Sequence, residues 1–161
     1  MGFFAKLFGK KKSVEVFDYV NNKLMIDYSA AGITINGKVI TLPTDISAFD
    51  FLGEARKVKT KAGINYSWDE AGVYCYTRNK GKVHCFGIAL KKGELELETT
   101  PHKFYAGEVT INGRSWEEVV AQGEQTEFFM KALCGGYSVV AEFCQFMDPS
   151  AYSNLEIQRE Q

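Results

Sequence analysis

Residues 64–90 read INYSWDEAGVYCYTRNKGKVHCFGIAL, and this stretch decides the fold. Gly72–Arg78 and Lys82–Leu90 are rich in β-branched and aromatic residues, and Asn79-Lys80-Gly81 between them supplies a turn with a glycine for positive φ. A three-residue loop pairs Arg78 with Lys82 and sets Tyr76 opposite His84, Cys75 opposite Cys85 and Tyr74 opposite Phe86. Alternation then places Tyr74, Tyr76, His84, Phe86, Ile88 and Leu90 on one face. Val73, Cys75, Thr77, Val83, Cys85, Gly87 and Ala89 fall on the other. Both faces are largely apolar, so the hairpin belongs inside a sheet. Upstream, Ile64–Trp68 is a third strand, and Trp68-Asp69-Glu70-Ala71-Gly72 is the tight turn that joins it to the hairpin.

Working towards the N-terminus, Lys57–Gly63 is a lysine-rich loop. Before it, Asp45–Leu52 reads as a helix with Ile46, Phe49 and Leu52 on one face, Asp45 as its cap and Gly53 as its stop. Gly32-Ile33-Thr34-Ile35 and Lys38–Leu42 form a hairpin about Asn36-Gly37, a strong turn signal. Val14–Val20 and Lys23–Tyr28 are further strands. Beyond residue 90, Glu94-Leu95-Glu96-Leu97-Glu98 alternates as a strand, with the leucines inward and the glutamates outward.

The second half echoes the first. Gly107–Arg114, GEVTINGR, mirrors Gly32–Lys38, GITINGK, and each copy is followed by a helix. In the second copy Ser115 is the cap, Glu118 completes a capping box, and Trp116, Val119 and Val120 form the apolar side. Residues 126–133 read as a strand in the repeat register, against a helical propensity; Tyr137–Phe146 and Leu155–Arg159 are the closing strands. The expected fold class is α+β: one antiparallel sheet backed by helices on one face, built from two tandem β-α-β-β(-β) repeats. The chain then divides into a basic N-terminal segment, 1–12, a first unit, 13–105, and a shorter second unit, 106–161, that shares its core. Coincidence of two hairpin signals is the alternative.

The chain has 161 residues, 45% of them hydrophobic and 14% aromatic, which is a folded composition of one domain or two small units sharing a core. The net charge is −1, but residues 1–12 hold Lys6, Lys10, Lys11 and Lys12 and no acid, which leaves the remainder at −5. A mildly acidic body argues against nucleic acid as the partner. Phe3, Phe4, Leu7 and Phe8 recur at helical spacing before Lys10, Lys11 and Lys12. That segment either lies weakly and reversibly on an anionic membrane surface, or docks as a short helix. No apolar run is long enough to span a bilayer and no signal peptide is evident, so the expected location is cytoplasmic, with peripheral contact at the inner membrane as the extension. Cys75, Cys85, Cys134 and Cys144 do not have zinc spacing and read as reduced thiols, with a Cys75–Cys85 bridge as the alternative.

No catalytic signature is present. His84 sits in mid-strand, His102 follows Pro101, and neither can be set beside Cys134, the most flexibly placed thiol. Nothing calls for a cofactor or metal. Tyr66, Trp68, Tyr74 and Tyr76, together with Asp69 and Glu70, have the composition of a protein-interface hot spot, although filling the core is equally open to the aromatics. Glu94, Glu96 and Glu98 form either a solvated edge or an acidic stripe for a basic partner.

The TING turn, the Asp45–Gly53 segment, YxWDxxGxYxY from Tyr66 to Tyr76 and GKVHxFxIxL from Gly81 to Leu90 together resemble the small immunity proteins of bacterial polymorphic-toxin and contact-dependent competition systems. The resemblance covers residues 30–92. It implies a cytosolic protein that binds a cognate toxin and blocks its active site. The residues themselves add the expectation of a non-enzymatic inhibitor in which the open sheet face or the Trp68–Gly72 turn plugs the toxin's cleft, with Tyr66, Trp68, Asp69, Glu70, Tyr74, Tyr76 and the three glutamates as the partner residues. A peripheral membrane adaptor recruited through residues 1–12 is the alternative.

Overall fold

The structure is a computed structural model that describes residues 23–78, 81–94 and 97–160. Among the described residues there are thirteen strands, arranged in two sheets, and two short helices. The smaller sheet has the order β3-β2-β1-β8-β9, with β1 Met25–Ser29, β2 Gly32–Ile35, β3 Lys38–Ile40, β8 Glu108–Ile111 and β9 Arg114–Ser115. The larger has the order β10-β11-β12-β13-β7-β6-β5-β4. Its strands are β4 Arg56–Lys59, β5 Ile64–Trp68, β6 Val73–Arg78, β7 Lys82–Ala89, β10 Glu124–Gln125, β11 Phe129–Cys134, β12 Tyr137–Phe143 and β13 Tyr152–Arg159.

Both Asn-Gly turns form as their chemistry requires. Asn36 and Asn112 have φ of 48° and 51°, and Gly37 and Gly113 have 81° and 73°, the left-handed pair that a two-residue hairpin with the right strand twist needs. The two hairpins flank β1, which runs antiparallel to β2 and parallel to β8. The Asn36 amide donates to the Met25 carbonyl at 2.9 Å and the Asn112 amide to that of Tyr28 at 2.6 Å, so each turn is pinned to this central strand. After each hairpin comes a short helix and then a four-stranded meander, β4–β7 or β10–β13. The meanders meet through their last strands, β7 and β13, which pair antiparallel with Leu155 opposite Ile88 and Ile157 opposite Phe86.

The α+β expectation is overturned. Strands make up 49% of the structure and helices 9%, so the fold is β-rich. Ile46–Leu52 is a 3-10 helix without a side-chain cap; Asp45 bonds the Lys82 ammonium at 2.6 Å instead. Helix α1, Trp116–Val120, is five residues long, and Ser115 bonds Glu117 rather than forming the capping box with Glu118. Neither helix can back an eight-stranded sheet. The apolar face of that sheet is covered by the smaller sheet, and Ile26, Tyr28, Ile33 and Ile35 from one join Val73, Phe86, Val139, Leu155 and Ile157 from the other in one core. The misreading has a physical origin, because the alternation in a hairpin fixes which face is buried but not which sheet the hairpin joins.

The register of the central hairpin is also corrected. Thr77 pairs with Val83 and Arg78 with Lys82, as the loop length dictates, but an irregularity at Tyr76/Thr77 makes His84 the extra residue, so that Tyr76 pairs with Cys85, Cys75 with Phe86 and Tyr74 with Gly87. Cys75 and Cys85 therefore point to opposite faces and are free thiols. The slip puts Phe86 and Ile88 in the core with Val73 and Cys75, and lays the Tyr74 ring against Gly87 on the outer face. Lys57–Lys59, expected in a loop, lies in edge strand β4. Glu94, Leu97 and Glu98 are not in a strand, and Leu97, expected inward, is 59% exposed. Among the described residues no helix is long and apolar enough to cross a membrane.

Candidate functional site

The outer face of the large sheet is lined by Tyr74 and Tyr76 of β6, Cys85 and Gly87 of β7, Glu156 and Gln158 of β13 and Glu142 of β12, because alternation turns these residues away from the core. They form a network around one carboxyl group. The Tyr74 hydroxyl donates to Glu156 Oε1 at 2.9 Å and the Tyr76 hydroxyl to Oε2 at 3.5 Å, while Gln158 Nε2 donates to Oε2 at 2.7 Å. Asn154 Nδ2 donates to Glu142 Oε2 at 2.8 Å.

The electrostatics of this network do not favour ionised nucleophiles. Burial, reinforced by the Glu156 carboxyl, pushes the Tyr74 hydroxyl and the Cys85 thiol well above their ordinary values. Burial raises Tyr76 as well. On the core side, burial alone pushes the Cys75 thiol up to about 12. A nucleophilic thiol needs the opposite shift. Desolvation raises Glu142, opposed by the Asn154 hydrogen bond and aided by Glu156.

The antiparallel registers give the sheet two distinct ends. At one end, where β5 finishes and β6 starts, Arg56 clamps Asp69. Its Nε donates to Asp69 Oδ2 at 2.7 Å and its Nη2 to Oδ1 at 2.9 Å, and the same guanidinium donates to the carbonyls of Glu98 and Thr100. The His102 amide adds a third hydrogen bond to Asp69 at 3.0 Å. The Arg56 hydrogen bond holds the Asp69 carboxyl below its ordinary range. Past this end β11 begins and β12 finishes, and there Phe128 and Phe146 meet edge to face with ring centroids 5.3 Å apart. They are 60% and 53% exposed, and Met147 beside them is 57% exposed. The Met147 amide donates to the Glu127 carbonyl and the Phe143 amide to that of Phe128, which fixes both loops on the framework.

At the other end, the end of β6, Gly81 and the β4–β5 loop border an open groove of about 450 Å³ lined by Lys59, Lys61, Ile64, Thr77 and Arg78. Arg78 also borders a polar cavity of about 270 Å³ with Tyr76, His84, Lys131, Gln158 and Glu160. Lys131 is paired with Glu160 at 3.1 Å. The Arg78 guanidinium lies over the Tyr76 ring, 4.9 Å from its centroid. Among the described residues, no group of three or more His, Cys, Asp or Glu side chains is placed to hold a metal.

The structure does not gather the sequence-predicted partner residues into one exposed surface. Tyr66 and Trp68 point into the core, where Trp68 is 3% exposed and donates to the Gly53 carbonyl. Tyr74 is buried on the outer face and Tyr76 is half-buried in the Glu156 network. Asp69 is held by Arg56, and the exposed Glu70 pairs with Lys103. Glu94 and Glu98 are exposed on a connection rather than in a strand stripe, and Glu96 lies outside the described residues. Phe3, Phe4, Leu7, Phe8, Lys10, Lys11 and Lys12 also lie outside them. Phe128, Phe146, Met147 and the Lys59–Arg78 groove escaped the sequence reading. A signal for the first was present: Phe128-Phe129-Met130 are consecutive apolar residues, and alternation cannot turn all three inward.

Fold and surface together define a two-sheet β protein with a partly buried polar network and two contrasting ends. The chain belongs to a family described as a domain of unknown function, DUF7738, which matches residues 25–126. The matched region stops before β11, although β13 is hydrogen-bonded to β7 and completes the large sheet. No curated protein matches the chain, and no solved structure does.

Proposed function

We propose that this protein is a non-enzymatic binding module of the immunity-protein kind, which neutralises a cognate bacterial toxin by docking on it through Phe128, Phe146 and Met147. The observation that carries this reading is the exposed Phe128–Phe146 pair with Met147 beside it. Clustered exposed apolar side chains of this size on a framework-anchored loop are unfavourable in water and are characteristic of protein-binding surfaces. The chemistry elsewhere supports binding over catalysis. Cys75 and Cys85 are shifted away from the thiolate, and Asp69 is fully engaged by Arg56. The surface proposed here replaces the Trp68–Gly72 turn as the anchor, because Trp68 and Asp69 already have internal partners.

The experiment is co-expression with toxin-like proteins encoded beside its gene, scored by growth rescue, with Phe128→Ala/Phe146→Ala as the variant. Each lost anchor weakens the complex by about 2 kcal/mol, or roughly thirtyfold, so rescue by the variant should fail while its unfolding temperature stays near that of the parent. Rescue by neither protein, or equal rescue by both, overturns the reading.

A further inference from the structure

We propose that the groove at the tip of the large sheet, lined by Lys59, Lys61 and Arg78, docks an acidic segment of a protein partner, independently of the Phe128–Phe146 surface. Three cations line this groove and no carboxylate does. None of the three has a salt bridge among the described residues, whereas neighbouring Lys82 is neutralised by Asp45 and Lys131 by Glu160. The pattern is selective: carboxylates reach the cations on either side of the groove but none lines the groove itself. Lys59 ends strand β4, which among the described residues pairs only with β5, so an extended segment can lie along this edge with its carboxylates against the lysines. Complementary charge of this kind mainly raises the rate and selectivity of capture.

A protein segment is favoured over nucleic acid for two reasons. The chain as a whole has a net charge of −1, so it offers no net basic surface for a long polyphosphate backbone to follow beyond the groove, whereas a short acidic segment needs the groove alone. Nor does any aromatic side chain line the groove to stack a base. Lysines on an edge strand also discourage strand-to-strand aggregation. Glutamates at the same positions would do that equally well, so charge reversal separates the two roles.

The test is fluorescence anisotropy of the full chain with labelled octaglutamate and, in parallel, a single-stranded DNA octamer, at low and at physiological salt. Lys59→Glu/Lys61→Glu and Arg78→Gln are compared with Lys91→Glu, an exposed lysine just past β7 at the opposite end of the sheet. Thermal unfolding verifies that each variant is folded. Octaglutamate should bind saturably, and the double reversal should weaken it by about tenfold or more, Arg78→Gln by a few-fold and Lys91→Glu by less than about twofold. Absence of octaglutamate binding, or an equal loss in Lys91→Glu, overturns the proposal. Tighter binding of the DNA octamer than of octaglutamate also overturns it and assigns the groove to nucleic acid.

Discussion

Substituting Gly87 by alanine tests the register and the outer-face network together. Gly87 lies opposite Tyr74, and a Cβ added there would fall 2.1 Å from Tyr74 Cζ, with Cε2 at 2.4 Å and Cε1 at 2.6 Å. Ordinary carbon contacts begin at about 3.5 Å, so the ring has to retreat by about 1.4 Å. The ring has little room to do so: Tyr74 is buried and its hydroxyl is held by Glu156 at 2.9 Å. A retreat of that size breaks the hydrogen bond. Overpacking costs about 1–3 kcal/mol and the broken bond about 1–3 kcal/mol, while the less flexible unfolded chain returns about 0.4–1 kcal/mol. The net destabilisation is about 2–5 kcal/mol, a fall of about 5–15 °C in unfolding temperature for a domain of this size. Urea unfolding followed by the fluorescence of Trp68 and Trp116 measures it. The double variant Gly87→Ala/Tyr74→Leu removes the clashing ring and should show a coupling energy of at least about 1 kcal/mol. Gly87→Ala unfolding at the parental midpoint, or equal destabilisation with and without the tyrosine ring, would refute the reasoning.

Three other outcomes follow from named contacts. Arg56→Gln removes the bidentate pair with Asp69 and should cost about 1–3 kcal/mol at neutral pH, read by urea unfolding. Because Asp69 is depressed in the folded chain, its contribution is present above the unfolded value near 3.9 and lost as pH falls through the folded one. The variant should therefore lose less stability than the parent on acidification below about pH 4. Glu142 has the opposite sign: raised mainly by desolvation, it favours folding below the unfolded value near 4.3 and loses that as pH rises through the folded one. Glu142→Gln keeps an acceptor for Asn154 and should be slightly more stable than the parent above about pH 6, by only a fraction of a kcal/mol given solvent screening. In thiol titration with an aromatic disulfide reagent, Cys75 and Cys85 should react only on unfolding, and the native chain should contain no bridge between them under air oxidation.

The parts of this fold legible in the sequence are those set by local backbone chemistry. Asn36-Gly37 and Asn112-Gly113 permit left-handed φ at two successive positions, and both became tight hairpins. The three-residue spacing between Arg78 and Lys82 likewise set these two residues opposite each other. Each of these depends on a few adjacent residues. The bulge one residue further on was not legible by alternation, because both registers bury a plausible apolar set. Volume did discriminate. Tyr74 opposite Phe86 would crowd two large rings on one face, whereas Tyr74 opposite Gly87 gives the ring a floor and turns Phe86 onto Phe49, where the two rings stack at 5.6 Å.

The surface was illegible for a related reason. Whether an aromatic side chain is an anchor or a core residue depends on what covers its face, and that is decided by sheet-to-sheet packing between segments far apart in the chain. Trp68 and Tyr66 are inward only because β5 lies over the core shared with the small sheet. Phe128 is outward because β11 starts one residue later and its loop turns away from that core. Exchanging the environments of these residues would leave composition and periodicity unchanged. A hot-spot composition in a β-rich chain therefore shows that anchors are affordable, while the pairing of the sheets determines which residues serve as them.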